Sequence, residues 1–293
     1  MRAVGYLQTP ITIKKAMLFS FFLFGCIALS LFSSGKVMAQ GNLLITPRRV
    51  VFEGKKRMQE LNLANTGKDT ATYNISFKQI RMTEDGQFVE ITQPDPGQNF
   101  ASDYLRFFPR RVTLAPNEAQ LVKMQVVKSN LLQTGEYRSH IYFRGLPQEK
   151  PLGEKEDRSD ATGLSVSLTP VFGITIPVII RRGESTAQVS VSDLKLERDE
   201  TLITSLKLRL NRTGNMSVYG DIRVNHVSPE GKRSQVGLVK GLAVYMPTAS
   251  RTFSIKLENP AGVDYKMGKL HVVYSKQKAD KGEMLCEAEL NLH

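Results

Sequence analysis

The chain has 293 residues, two cysteines, no tryptophan and a formal net charge of +12. Two cysteines exclude a disulfide-stapled scaffold, so stability must come from apolar cores. The basic residues are scattered among acids, without aromatic interleaving or a nucleic-acid-binding module, which sets nucleic acid aside as a partner.

The first 39 residues read as an export signal. Lys14 and Lys15 precede an apolar stretch over residues 16–32, and Val37, Met38 and Ala39 place small or modest side chains at its exit. Cleavage is expected after Ala39, leaving Gln40 as the new N-terminus. An uncleaved anchor is the weaker alternative, because the apolar run falls short of the about 20 residues a spanning helix needs. Lipidation at Cys26 is disfavoured by bulky Phe24 and by the apolar residues that continue past the cysteine. The lost segment carries Arg2, Lys14, Lys15 and Lys36 and no acid, so the net charge falls from +12 to +8. No later segment is apolar enough to cross a bilayer, and a soluble mature protein without stable membrane insertion is expected.

From there the chain reads as strands separated by turn chemistry. Leu61 and Leu63, then Tyr73, Ile75 and Phe77, then Val122, Met124 and Val126 alternate with other residues at period two. Between them lie Asn65-Thr66-Gly67, Glu84-Asp85-Gly86, Pro94-Asp95-Pro96-Gly97 and Ala115-Pro116-Asn117, sequences with the residues that turns require. Residues 147–163 are polar, charged and rich in glycine and proline, as a connector would be. The longest strand-like run, residues 164–180, follows at once. Arg181, Arg182 and Gly183 then break the pattern, and the domain boundary is expected there. A second strand series occupies 188–196, 205–210, 218–227, 241–245, 251–257, 269–274 and 283–292. Cys286 lies in the last of these among Leu285, Ala288, Leu290 and Leu292, which reads as core rather than as a reactive thiol. The pattern predicts an all-β protein of two sandwiches, residues 40–182 and 183–293.

Chemistry-bearing motifs are lacking. His140, His226, His271 and His293 show no metal-ligand spacing, and no nucleophile elbow or phosphate loop is present. Neither an enzyme nor a cofactor or metal protein is expected. The Asn-x-Ser/Thr triplets at Asn74, Asn211 and Asn215 are of a frequency that chance supplies.

Arg49-Val50-Val51-Phe52-Glu53-Gly54 and Leu61-Asn62-Leu63-Ala64-Asn65-Thr66-Gly67 resemble, in order, the first strand and the second strand with its turn of the PapD-like periplasmic chaperones of pilus and fimbrial subunits. Phe108-Pro109-Arg110-Arg111-Val112-Thr113-Leu114-Ala115-Pro116 and Gly135-Glu136-Tyr137-Arg138-Ser139-His140-Ile141-Tyr142-Phe143 continue the likeness. It covers residues 45–182 well and the second half weakly, through Asp264-Tyr265 and the final strands. The resemblance implies two immunoglobulin-like β-sandwich domains in a boomerang. It also implies pilus subunits as partners, held by a lent β-strand, and an outer-membrane usher to receive them. Arg49 corresponds to an arginine that grips the subunit's terminal carboxylate. The lysine that completes this grip in the family corresponds to Pro177. Of the family's ionic link between domains, Arg181 and Asp264 are matched, while the acid of the preceding strand is expected at a position occupied by Arg138.

The lending strand is expected at residues 164–172, where Leu164, Val166, Leu168, Pro170 and Phe172 share a face. A strand of the chain's own core would alternate in the same way. Its position after a long connector, with prolines at 170 and 177, favours an edge strand. Arg49, Leu164, Val166, Leu168 and Phe172 are thus the expected subunit-binding residues, and Arg181 and Asp264 the expected inter-domain pair. A secreted structural or adhesive protein built on the same sandwiches is the rival reading.

Overall fold

Period-two patterning becomes strand through most of the described residues. The computed structural model describes residues 43–147, 171–200, 203–277 and 282–293, all of them within one compact unit, Gln40–His293. The first eleven strands are β1 (Leu43–Thr46), β2 (Val50–Phe52), β3 (Met58–Asn65), β4 (Ala71–Lys78), β5 (Ile80–Met82), β6 (Phe88–Glu90), β7 (Leu105–Phe108), β8 (Arg111–Leu114), β9 (Ala119–Val126), β10 (Gly135–Gly145) and β11 (Gly173–Arg182). They form a sheet in the order β1-β3-β9-β7 and a second in the order β2-β11-β10-β4-β8, with β5 and β6 as a separate hairpin.

The inward residues of the two large sheets make one core. Leu61, Leu63, Val122, Met124, Leu114, Ile141 and Phe143 are fully buried in it, each side chain of this size contributing about 1.5–3 kcal/mol. The Asn65-Thr66-Gly67 turn is fixed from within. The buried Asn65 amide donates to Leu114 O at 3.0 Å and Asp69 O at 2.8 Å, and its Oδ1 accepts from Gly67 N at 2.9 Å.

The remaining strands are β12 (Gln188–Arg198), β13 (Thr204–Thr213), β14 (Val218–Val227), β15 (Arg233–Val244), β16 (Ser250–Lys256), β17 (Lys269–Lys276) and β18 (Met284–Asn291). They build sheets β12-β13-β16 and β15-β14-β17-β18 around a second core that includes Leu206, Leu208, Val224, Val272 and Tyr274. The fold is two immunoglobulin-like sandwiches. β15 starts well before the expected residue 241, because bulges between Gly220 and Ile222 and between Val224 and Asn225 shift its register against β14 and erase period two. Cys286 is half-buried against the second core, and burial pushes its thiol up to about 11.

β11 does not break at Arg181. It runs on through Arg182, because Glu136 and Gly135 of β10 still pair with Arg181 and Arg182. Gly183 then turns the chain at φ +78°, where an added Cβ would sit 2.6 Å from Thr134 Cγ2. Apolar residues bridge the two sandwiches here: Ile179, Met82 and Val51 pack with the second core. The β5–β6 hairpin joins them as well. Its turn offers Glu84 O to Thr252 N at 2.7 Å, and Met82 O accepts from Thr248 Oγ1 at 2.6 Å.

Candidate functional site

β11 is bordered by β10 along its whole length, but by β2 over three residues alone. β2 runs parallel to it, with Val50, Val51 and Phe52 beside Val178, Ile179 and Ile180. The same edge of β11 over residues 173–177 has no strand partner among the described residues. Pro177, on this stretch, has no N–H to offer any partner. Phe172, just ahead of β11, is 51% exposed and its carbonyl accepts from Gly145 N at 2.9 Å. Leu164, Val166 and Leu168 lie outside the described residues.

Arg49 stands at the start of β2, where that edge ends. Its guanidinium is 4.3 Å from the Tyr219 ring centre, and Nη1 donates to Tyr245 Oη at 3.2 Å. It has no carboxylate partner among the described residues, so it presents charge held in place by aromatic faces.

Charged residues alternate along the opposite face of the neighbouring strand. Glu136, Arg138 and His140 of β10 are all buried: Ser217 and Met246 of the second sandwich meet the first two, and the Phe88 ring of β6 lies 5.9 Å from the His140 ring. By register they lie opposite Arg181, Ile179 and Pro177. Glu136 is fully enclosed: it accepts from Arg181 Nε at 3.1 Å, from Ser217 N at 3.0 Å, and from Ser217 Oγ. Arg181 Nη2 in turn donates to Ser217 O at 2.6 Å. A carboxylate and a guanidinium from adjacent strands thus close on one serine of the other sandwich.

This corrects the expected ionic link. Arg181 does not pair with Asp264. Asp264 lies in the turn before β17, where its carboxylate accepts from Lys266 N at 2.9 Å and its carbonyl meets His226 Nε2 at 3.0 Å. The acid expected at 138 is Glu136, one alternation earlier on the same face. Exposed Glu53 approaches Arg181 as well, at 4.0 Å.

Arg138 therefore has a different setting. It is 3% exposed, its Nη2 donates to Met246 O at 3.1 Å, and its guanidinium carbon lies 4.5 Å from the Tyr245 ring centre. Nε and Nη1 have no hydrogen-bond partner among the described residues. Burial lowers its pKa, and nearby Arg49 adds to that. His140 is pushed down to about 3 by burial first and by Arg138 second, so it is neutral near pH 7. Glu136, Ser217, Tyr219 and Tyr245 lie in this cleft, and sequence reasoning gave none of them a role there. Nothing local in the polar positions of β10 reveals that another sandwich covers them.

No family model and no curated protein matches the chain. Among solved structures it is similar to the YadV chaperone, at 14% identity over 86% of this chain and 100% of that one, with a TM-score of 0.43. The Pseudomonas aeruginosa CupB2 chaperone matches at 13% identity over 85% and 99%, TM-score 0.40. The Salmonella enterica SafA pilin in complex with the SafB chaperone matches at 13% over 85% and 96%, TM-score 0.40. These likenesses are of fold.

Proposed function

We propose that this chain is an exported chaperone for pilus or fimbrial subunits, made of sandwiches divided at Gly183, that lends an edge strand to a subunit lacking one. The observation that carries the reading is the open edge of β11 over residues 173–177, collinear with β2 and ending at Arg49. A strand added on that edge forms backbone hydrogen bonds along β11 and stops beside the guanidinium. If it ran antiparallel to β11, its N-terminal ammonium would meet Arg49. Running parallel, it brings a C-terminal carboxylate there instead, which the charge favours. The apolar stripe of Leu164, Val166, Leu168 and Phe172 is the part of the lent strand that fills the subunit's groove. An outer-membrane usher is the expected receiver of the loaded complex, and no bond-making chemistry is required of the chaperone.

The test is capture from periplasm. The wild-type protein should retain small, strand-incomplete subunits. Leu164→Asp combined with Val166→Asp should abolish capture while leaving thermal unfolding nearly unchanged. Arg49→Ala should weaken capture by more than about tenfold in a folded protein. Unfolding of the first sandwich by the paired aspartates would return those residues to its own core and end the lending assignment.

A further inference from the structure

Arg138 is a buried cation whose surroundings leave it incomplete. Buried polar atoms are nearly always hydrogen-bonded, and each exception asks for a cause. Here Nε and Nη1 are both exceptions, on one side chain that is 3% exposed. Glu136 on the same face lends Arg138 some opposing charge, but its oxygens are hydrogen-bonded to Arg181 and Ser217 and make no hydrogen bond to it. His140, on the other side of Arg138 along β10, offers it no negative charge in either protonation state. Arg49 adds a second positive charge rather than an opposing one. The ring of Tyr245 is shared, lying 4.5 Å from the Arg138 guanidinium and 5.5 Å from that of Arg49. Two guanidinium groups, held on one aromatic wall and lacking a carboxylate among the described residues, await an anion.

We propose that Arg138, reaching from β10, is the second carboxylate-binding group of this cleft and works with Arg49 to hold the terminal carboxylate of a strand docked on β11. The proposal rests on the strand-lending reading for the source of that carboxylate. Planar fork donors match a planar carboxylate. The rings of Tyr219 and Tyr245 hold the two forks in place from one side, at 4.3 Å for Arg49 and 4.5 Å for Arg138. The unpaired donors are then the empty form of the subsite. Pro177, lying opposite His140 on β11, needs no charge of its own, because the cation comes from the next strand.

Two measurements separate this from the reading beneath it. In the first, nitrogen-15-labelled protein is titrated with sodium benzoate and, separately, inorganic phosphate, while the Arg138 Nε–H resonance is followed. Benzoate should shift it. In the second, calorimetry compares a short peptide of alternating valine and threonine that ends in a free carboxylate with the same peptide ending in an amide. Wild type should favour the acid by more than about tenfold. Arg138→Leu should cut that preference sharply, leaving what Arg49 alone supplies, and Arg138→Lys should keep more of it, each checked by circular dichroism. An unmoved Nε–H with equal binding of acid and amide overturns the Arg138 assignment and leaves strand lending intact. A benzoate shift with neither peptide bound upholds the anion subsite and overturns strand lending. A shift with phosphate alone overturns the carboxylate assignment.

Discussion

Breaking the Glu136–Arg181 pair should be the most damaging single change between the two sandwiches. The Glu136 side chain has no exposed surface, and that of Arg181 has 18%. Their contact at 3.1 Å is supplemented by two donors from Ser217 to the carboxylate and by Ser217 O on the guanidinium. Glu136→Leu takes from Arg181 its hydrogen-bonded acid, leaving it exposed Glu53 at 4.0 Å, and removes the opposing charge near buried Arg212. Arg181→Leu leaves the carboxylate with its Ser217 donors but without the guanidinium hydrogen-bonded to it. Removing one member of a buried pair costs about 3–5 kcal/mol, a large share of a stability of about 5–15 kcal/mol. The double variant should be less destabilised than the two single losses added together, since neither member of the pair is then stranded, although Arg212 still loses an opposing charge. It still leaves the Ser217 amide and carbonyl unsatisfied, at about 1–3 kcal/mol each. Equilibrium unfolding in urea, followed by far-UV circular dichroism because the chain lacks tryptophan, gives all three values. Two single losses under about 1 kcal/mol, the range of surface pairs, would refute the buried-pair account. So would a double variant whose loss equals the sum of the singles.

Two further outcomes follow from the sequence and the buried face of β10. His140 is held down to about 3 in the fold against 6.5 in the open chain. Between those values the unfolded state binds the extra proton, so stability is present above 6.5 and falls as pH drops toward 3. His140→Phe should remove this dependence, the difference from wild type changing by up to about 1.4 kcal/mol per pH unit; parallel urea curves at both ends of the window would exclude it. Mass spectrometry of the exported protein should find Gln40 at the N-terminus, and an intact Met1 or a lipid on Cys26 would overturn that cleavage.

Much of the architecture was legible because each strand carries its own signal. Val122, Met124 and Val126 are buried while their neighbours are exposed, and that alternation needs no knowledge of the partner sheet. β14 occupies the residues expected of it. The β15 start was hidden for a local reason, since register shifts place consecutive residues on faces that strict alternation would not assign. The end of β11 was hidden for a non-local one. Consecutive arginines look like a strand terminus, but Arg181 is paid for by Glu136 across the ladder.

The cleft was less legible than the fold, and the error at Arg138 says why. Resemblance located the right strand and the right face, then put the acid one alternation too late. A shift by one alternation preserves the face, so period two cannot detect it. What separates position 136 from position 138 is the neighbour on the other sandwich: Ser217, with its amide, carbonyl and hydroxyl, against Tyr245, with an aromatic face. Ser217 follows Met216 at the entrance to β14, and Tyr245 follows the end of β15. Neither position announces a site. The charge pattern on β10 acquires meaning when these two elements close over it. One arrangement gives Glu136 its cation and locks the sandwiches together. The other leaves Arg138 facing Arg49 across a tyrosine, with donors to spare at the point where the open edge of β11 ends.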